Sequence, residues 1–382
     1  MAPFRFIHTS DIHLDTSFAG SGLPSRLGDR KREAIRGTLK RILEDARRET
    51  IDLVMIAGDL FEIDRVTPDT IEFLKQQFEN AAPIPIFIAP GNHDPYLTQS
   101  PYALESWPAN VHIFSEEEFR SVELPGKDVR VTGFAFTRTR VPEPVFKNLP
   151  VLPADCRNFV LVHGSDSSGV PPGKSAHGPF VVGDIAGKNI SYCALGHYHQ
   201  QRRLPNPIDG TQIWYSGIPE GRAWDEQGIC GYLLGEIGED NAIAVRSCPT
   251  SQYSFVSIAL NCDGFASREQ IVDGILKLRG SAFDEKSILR VRLEGSPDPK
   301  LDLSKSEIEE RLADAAVFIA WDDRTLPALD FEEMARERTL CGSFVRAMNH
   351  RIGTARAEDR AMLERARLYG AQALLGREVR IL

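Results

Sequence analysis

The chain has 382 residues, 42% of them hydrophobic, and a formal net charge of −9 at pH 7. This composition indicates a globular protein with a substantial core, and the acidic charge argues against a general nucleic-acid binder. No run of about 18 apolar residues is present, which excludes a membrane-spanning helix. The N-terminal sequence lacks the layout of a signal peptide, so we expect a cytoplasmic protein. The six cysteines are scattered and form neither a zinc pattern nor a disulfide framework.

Strands and helices alternate through the first two thirds of the chain. A strand is predicted at "FRFIHTSD", a helix at 29–49 with Ile35 and Leu39 on one face, and a strand buried on both faces at "IDLVMIAGDLF". Thr67 and Pro68 favour the start of a second helix, and a third strand is predicted at "PIPIFIAPGNHD". Later strands are predicted at "VRVTGFAF", "NFVLVHGSD", "ISYCALGHYH", "IWYSGIP" and "CGYLLGEI". Such alternation is typical of a layered α/β domain.

The pattern changes near "SCPTSQYS", and we predict three domains with boundaries at 1–249, 250–325 and 326–382. The second is a small α+β domain, and the third is helical and rich in arginine. Residues 335–382 contain ten arginines, no lysine and five acidic residues, a net charge of +5 that suggests a separate partner. An apolar stripe at helical spacing is formed there by Leu340, Phe344, Met348 and Ile352.

Potential metal ligands stand at the ends of five predicted strands. They are Asp11 and His13, Asp59, Asn92 with His93 and Asp94, His163, and His197 with His199. Open α/β sheets collect ligands at the carboxyl ends of their strands, so we expect these five ends to converge on one site. Any single motif is weak, and "GNHD" alone is equally typical of a turn, but chance does not readily explain the ordered set.

The ligand types predict a pair of metal ions. Aspartate, histidine and asparagine without a thiolate suit Mn²⁺, Fe²⁺ or Zn²⁺. The candidates are too many for one tetrahedral zinc and suit two ions that share a bridging carboxylate. Such a pair holds an attacking hydroxide beside a phosphoryl oxygen, and a nearby histidine can protonate the leaving group. These residues therefore fit the chemistry of phosphodiester hydrolysis.

Together these motifs resemble the signature of the calcineurin-like metallophosphoesterases. The stretches "TSDIHLD", "HGSD" and "GHYH" are similar to motifs of the DNA-repair nuclease branch of that family, which includes the SbcD- and YhaO-like proteins. The resemblance implies a layered sandwich of two mixed β-sheets flanked by helices. It also implies a small α+β capping domain and a helical C-terminal tail.

The resemblance further implies a role for each residue of the set. It assigns one metal to Asp11, His13 and His199, the other metal to Asn92, His163 and His197, and the bridging position to Asp59. It implies that His93 faces the phosphate, where it stabilises the transition state or protonates the leaving oxygen. In the same scheme Asp94 orients His93.

The resemblance implies that the chain is a Mn²⁺-dependent DNA nuclease. Exonuclease action on DNA ends is the leading expectation. Fe²⁺, Mg²⁺ and Zn²⁺ are alternative ions. The resemblance also implies homodimerisation and an SMC-type ATPase partner (SbcC- or YhaN-like), bound through the C-terminal helices, although the apolar stripe can equally pack on the chain's own core. Two other hypotheses stay open: a phosphatase or phosphodiesterase for nucleotides, small molecules or phosphoproteins, and a DNA-end-binding scaffold with little catalysis.

Four arginines are candidate contacts to substrate phosphates. Arg138 and Arg140 stand in "TRTR", and Arg202 and Arg203 follow "GHYHQ". Exposed arginines are usually only solvated, so the sequence favours neither substrate binding nor simple solvation.

Overall fold

The structure is a computed structural model that describes residues 3–169, 176–206, 210–226, 228–298, 301–326, 329–376 and 379. The chain divides into two compact units, Met1–Phe255 and Val256–Leu382. The three-domain division at 249/250 and 325/326 stays a prediction.

Strands dominate the described part of the first unit. They are β1 (Phe4–Thr9), β2 (Leu53–Ile56), β3 (Ile86–Ile88), β4 (Val111–Ile113), β5 (Arg120–Glu123), β6 (Val129–Gly133), β7 (Arg157–His163), β8 (Tyr192–Gly196), β9 (Arg202–Leu204), β10 (Gln212–Tyr215), β11 (Gly231–Ile237) and β12 (Ile243–Pro249). The α-helices are α1 (Ser25–Arg48), α2 (Pro68–Asn80) and the short α3 (Pro101–Leu104).

These strands form two six-stranded sheets of mixed direction. The first has the order β12-β11-β1-β2-β3-β4, in which β1 to β4 are parallel, β11 is antiparallel to β1, and β12 is antiparallel to β11. The second has the order β5-β6-β7-β8-β10-β9, with β6, β7, β8 and β10 parallel and the edge strands β5 and β9 antiparallel. The predicted fold class, two mixed sheets flanked by helices, is confirmed.

Aromatic rings fill the space between the two sheets. The ring of Phe6 on β1 lies 4.9 Å from that of Phe159 on β7 and 4.7 Å from that of Tyr192 on β8. All three side chains are fully buried. Gly235 on β11 makes room for Phe6, because a Cβ there would lie 2.0 Å from the ring. This aromatic layer holds the sheets face to face and so fixes the distance between their strand ends.

Helices α1 and α2 cover the outer face of the first sheet. Ile35 and Leu39 of α1 are buried in one cluster with Ile7 and Val54 of the sheet, as the helical spacing predicts. Helix α2 packs into the same cluster and is capped by the side chain of Thr67, which accepts a hydrogen bond from a backbone N–H of its first turn.

The remaining elements follow residue 249. They are β13 (Ser254–Asn261), α4 (Arg268–Leu276), β14 (Ser287–Glu294), α5 (Lys305–Arg311), β15 (Phe318–Asp323), α6 (Phe331–Arg336), α7 (Leu340–Thr354) and α8 (Ala357–Leu374). The three strands form a sheet in the order β13-β14-β15, whose core is shared with α4 and α5. Among the described residues, no helix is long and apolar enough to cross a bilayer.

The predicted apolar stripe on α7 is divided between core and solvent. Met348 is buried, and Phe344 packs over Gly370 of α8, where a Cβ would lie 2.1 Å from the ring. Leu340 is 75% exposed. Part of the stripe therefore packs on the chain's own helix, and only its first residue is open to solvent.

We expect Phe159→Ala to destabilise the first unit strongly, because it removes the ring that lies between the two sheets. The free energy of unfolding should fall by about 3–5 kcal/mol, as for other buried phenylalanines. Urea unfolding followed by circular dichroism measures this loss. Val151→Ala, at a position that is 62% exposed, is the control and should change stability by less than about 0.5 kcal/mol. Equal losses in both variants would show that the ring does not hold the sheets together.

Candidate metal centre

All five predicted strand ends meet at one edge of the sandwich. Asp11 follows β1, Asp59 follows β2 and Asn92 follows β3, all in the first sheet, whereas His163 ends β7 and His197 follows β8 in the second. Backbone hydrogen bonds join the first two ends, from the Asp11 N–H to the Gly58 carbonyl at 3.0 Å. The site therefore lies where the carboxyl ends of parallel strands from both sheets converge, as predicted.

The backbone at this edge adopts unusual conformations. Four of the predicted ligands have positive φ: Asp11 (53°), His13 (51°), Asp59 (53°) and His197 (102°). Such conformations are costly for residues with a side chain and cluster at functional sites. At Gly196 a Cβ would lie 1.8 Å from the Ala57 carbonyl oxygen, so only glycine permits this approach of the two sheets.

Three of the predicted ligands form a first group. The Nε2 atoms of His13 and His199 lie 3.9 Å and 3.8 Å from Oδ1 of Asp11. These three atoms have the mutual spacing that a single metal ion needs. His13 Nε2 is buried and has no hydrogen-bond partner among the described residues, which fits a metal ligand.

A second group contains Asn92, His163 and His197. His163 Nε2 lies 3.0 Å from Asn92 Oδ1, and His197 Nδ1 lies 3.2 Å from both of those atoms. Two imidazole nitrogens and an amide oxygen thus point at one small region. This donor set suits a borderline divalent cation.

Asp59 lies between the two groups. Its Oδ2 is 3.8 Å from His13 Nε2 of the first group and 3.3 Å from His163 Nε2 of the second. Its Oδ1 accepts a hydrogen bond from the backbone N–H of His93 at 2.9 Å. One carboxylate oxygen therefore faces both groups, which is the position of a bridging ligand. The residues present fit two divalent metal ions.

The outward ring nitrogens of the histidines are held by hydrogen bonds. Nδ1 of His13 lies 2.8 Å from Glu62, Nδ1 of His199 lies 2.5 Å from Glu226, and Nδ1 of His163 lies 2.9 Å from the Ala57 carbonyl. A carbonyl or carboxylate oxygen can only accept, so each Nδ1 carries a proton and each Nε2 is the nitrogen left to bind a metal ion.

His93 lies beside the groups, with 44% of its side chain exposed. Its Nδ1 donates to Glu62 Oε2 at 2.7 Å. This hydrogen bond raises the pKa of His93 above its ordinary value, although burial opposes the change. The Glu62 hydrogen bond therefore favours the protonated form of this ring.

The side chain of Asp94 has partners other than His93, and its predicted role of orienting that ring stays a prediction. Its carboxylate accepts hydrogen bonds from the backbone N–H groups of Asp59, Gly91 and Leu60 and from the Tyr102 hydroxyl, at 2.7–2.9 Å. It is fully buried, and burial together with the Asp59 carboxylate raises the pKa of Asp94 to about 6. Asp94 therefore fixes the backbone that carries Asp59, because its side chain turns into the protein.

Three residues of the site were not predicted. Glu62 orients His93 and His13, and the sequence offered a signal, since it stands three positions after Asp59 in "GDLFE". Arg222 and Glu226 lie in "GRAWDE", which has no ligand spacing that could have revealed them.

The four predicted arginine contacts have different surroundings. Arg138 pairs with Glu117 at 3.0 Å and with Glu143 at 2.7 Å. Arg202 lies over the rings of Tyr198 and Tyr215, at 4.8 Å and 5.2 Å from their centres. Two of the four thus have partners within the protein.

Arg203 and Arg140 are both exposed. Arg203 lies on the edge strand β9. The pKa of His177 is lowered, first by burial and then by several nearby charges that include Arg140. The His177 ring lies 5.5 Å from that of His197. Of the four arginines, Arg140 has the clearest electrostatic link to the site, and its role stays a prediction.

A fold of two mixed sheets with paired ligand groups at one edge defines a metallophosphoesterase. Residues 4–225 match the calcineurin-like phosphoesterase family, and the chain belongs to that family.

Two relatives support the resemblance to its DNA-repair branch. The chain is 31% identical over 240 residues to the uncharacterized metallophosphoesterase YhaO of Bacillus subtilis, a match that covers 61% of this chain and 57% of the relative. It is 26% identical over 326 residues to the DNA double-strand break repair protein Mre11 of Methanosarcina mazei, covering 81% and 48%. The chain thus spans about half the length of these relatives. The chain is also similar to a solved dimetal phosphatase from Danio rerio, with a TM-score of 0.42 and 11% sequence identity. That match covers 65% of this chain and 96% of the phosphatase, and it is too distant to add to the assignment.

We expect Asp59→Ala to lose bound metal, because it removes a carboxylate oxygen that faces both ligand groups. Metal content of the purified variant, measured by plasma mass spectrometry after gel filtration, tests this. Asp128→Ala is the control, since that carboxylate is 63% exposed and pairs only loosely with Arg157, at 3.7 Å. An Asp59 variant that retains as much metal as the control would contradict the bridging assignment.

Proposed function

We propose that this protein is a DNA nuclease that hydrolyses phosphodiester bonds at DNA ends with two divalent ions.

 Mn²⁺ is the expected ion, with Fe²⁺, Mg²⁺ and Zn²⁺ as alternatives. The observation that carries the proposal is the single Asp59 oxygen that faces both ligand groups, with His93 beside it. Membership of the calcineurin-like phosphoesterases makes the chain a metallophosphoesterase, and DNA as the substrate is the proposed step beyond that.

The residues of the site fit the needs of phosphodiester hydrolysis. When bound, two ions supply a nucleophile at neutral pH and neutralise charge on the phosphoryl group. Asp11, Asn92 and the imidazoles would hold those ions. His93 would donate a proton from Nε2 to the leaving oxygen, because Glu62 already holds its Nδ1.

Two observations support DNA as the substrate. A relative that matches 81% of this chain is named a DNA double-strand break repair protein. The C-terminal 48 residues also carry a net charge of +5, whereas the whole chain carries −9. Because phosphate neutralisation dominates DNA affinity, we propose that an SMC-type ATPase partner, and a second copy of this chain, supply much of the grip on DNA.

The C-terminal helices are the proposed docking site for that ATPase. Leu340 on α7 and Met362 on α8 are apolar side chains that are 75% and 60% exposed. This exposure supports a helical contact, in which apolar side chains enter a groove of the partner. The predicted cytoplasmic location stays a prediction.

A phosphatase or phosphodiesterase for nucleotides, small molecules or phosphoproteins is the second candidate. The net charge of −9 favours it, since a small substrate needs no extended basic surface. The same metal centre would serve both activities, so the substrate must be tested directly.

Hydrolysis of end-labelled linear DNA by the full chain tests the proposal, with Mn²⁺, with Mg²⁺ and with chelator. Bis-p-nitrophenyl phosphate serves as a small diester in the same buffers. We expect Mn²⁺-dependent loss of label from DNA that is absent in Asp59→Ala. Rapid cleavage of the small diester with intact DNA, also after addition of the partner ATPase, would favour the second candidate. No hydrolysis of either substrate would overturn both.

We expect His93→Ala to lower turnover by about 10²–10⁴-fold, the usual contribution of a positioned general acid. Metal content should stay at the wild-type level, because His93 belongs to neither ligand group. Steady-state kinetics and metal analysis of the same preparation measure both effects. His350→Ala, an exposed position on α7, is the matched control. Full activity in the His93 variant would exclude the assigned role.

A further inference from the structure

Arg222 reaches the metal centre from a loop that the sequence did not link to it. Its Nη1 lies 3.4 Å from Glu62 Oε1 and 3.3 Å from Thr16 Oγ1. Its Nη2 lies 3.5 Å from both His199 Nε2 and Glu226 Oε1. The side chain is only 15% exposed. A nearly buried guanidinium thus stands between the first ligand group and the carboxylate that orients His93.

These contacts are too long for a fixed ion pair. Charge-assisted N–H···O bonds are usually about 2.7–2.9 Å long, and arginine normally binds a carboxylate through two parallel bonds. Arg222 Nε, moreover, is buried without a hydrogen-bond partner among the described residues. The guanidinium therefore retains donors for another acceptor, and a desolvated donor without a partner is costly.

The contact with His199 excludes one role for this arginine. His199 Nδ1 is bonded to Glu226, so Nε2 carries the lone pair, and that atom belongs to the first ligand group. One lone pair cannot serve both a metal ion and a guanidinium N–H. An arginine whose role was to bind His199 would compete with the metal, so its Nη2 needs a different acceptor in the metal-bound protein.

Its guanidinium reaches both sides of the site. Nη1 lies 3.4 Å from Glu62, the carboxylate that orients His93, and Nη2 lies 3.5 Å from His199 of the first ligand group. A positive charge between a metal ligand and the partner of the proton donor lies beside the space that a phosphoester must occupy.

The loop that carries Arg222 is held firmly at its base. Glu226 Oε2 accepts hydrogen bonds from the backbone N–H groups of Arg222 at 2.5 Å and Ala223 at 3.1 Å. Glu220, almost fully buried, pairs with the buried Lys31 of α1. The backbone is thus fixed, whereas the tip of the arginine makes only long contacts, an arrangement suited to binding a ligand.

We infer that Arg222 contacts substrate: its guanidinium donates to the non-bridging oxygens of the phosphoester beside the first ligand group. This rests on the proposed phosphoesterase function and adds a residue to it. Arginine matches phosphate because its planar donors pair with two oxygens at once. In substrate-bound protein Nε finds the acceptor that it lacks here, and Nη2 exchanges its 3.5 Å contact with His199 for a phosphate oxygen.

The test compares Arg222→Gln and Arg222→Lys with wild type in the full, Mn²⁺-loaded chain. Arg120→Gln is the matched control, since Arg120 lies exposed on the edge strand β5. Calorimetry measures the affinities for Mn²⁺ and for inorganic phosphate, and bis-p-nitrophenyl phosphate gives kcat and KM. Melting temperatures check that each variant folds, and the lysine variant keeps the charge if the glutamine variant does not fold.

We expect Arg222→Gln to bind phosphate at least about tenfold more weakly and to lose about 10–100-fold in kcat/KM, as for loss of a charged hydrogen bond. The phosphate affinity and kcat/KM of Arg222→Lys should lie between those of wild type and Arg222→Gln, because lysine keeps the charge but loses the paired geometry. Mn²⁺ affinity should stay within about threefold of wild type, since a cation adds nothing to metal binding.

Unchanged phosphate affinity in Arg222→Gln would overturn the inference. So would a loss of Mn²⁺ affinity that accounts for the loss of phosphate binding, because it would show that Arg222 only holds Glu62 and Glu226 in place. A wild-type chain that hydrolyses neither DNA nor the small diester would refute the proposed function instead, and phosphate binding would still decide the role of Arg222.

Discussion

The buried carboxylate of Asp59 is the constraint around which the site is built. It is 2% exposed, and its backbone has a positive φ of 53°. Although burial favours the protonated form, the positive charge of His163 holds the pKa of Asp59 well below its usual range. Asp94 holds the Asp59 backbone N–H, and the His93 N–H binds the side chain. A strained, desolvated charge persists only where its surroundings fix it this completely.

That single charge organises a larger balance of buried groups. Although burial opposes it, the Asp59 carboxylate raises the pKa of His163 to about 9. Hydrogen bonds from His13 and His93 outweigh burial and hold the pKa of Glu62 well below its usual range. Glu226 is similar: its pKa falls to about 2 against the effect of burial, chiefly through His199 and Arg222. Bound divalent cations would compensate these carboxylates further and so couple metal binding to the stability of this edge.

The sequence predicted what depends on local pattern. Asp11, Asp59 and His163 could be found because each follows an apolar run, and the carboxyl ends of parallel strands share one edge. The order of the strands depends on distant pairing, such as β11 beside β1, and no local signal contains it. The surroundings of Asp94 were not visible in the sequence, because adjacency in sequence is not contact: its carboxylate accepts hydrogen bonds from the backbone N–H groups of Asp59, Leu60 and Gly91.

The missed residues show where substrate choice must arise. The metal ligands come from strand ends, and such a ligand set serves phosphatases and nucleases alike. Arg222 and Glu226 come instead from a loop more than 150 residues beyond Glu62, and the fold alone brings the three together. Because the ligand set determines the chemistry, and Arg222 is inferred to donate to the bound ester, differences in specificity between members of such a family should concentrate in these loops. On that inference, the part of the site least visible in the sequence is also the part that contacts the substrate.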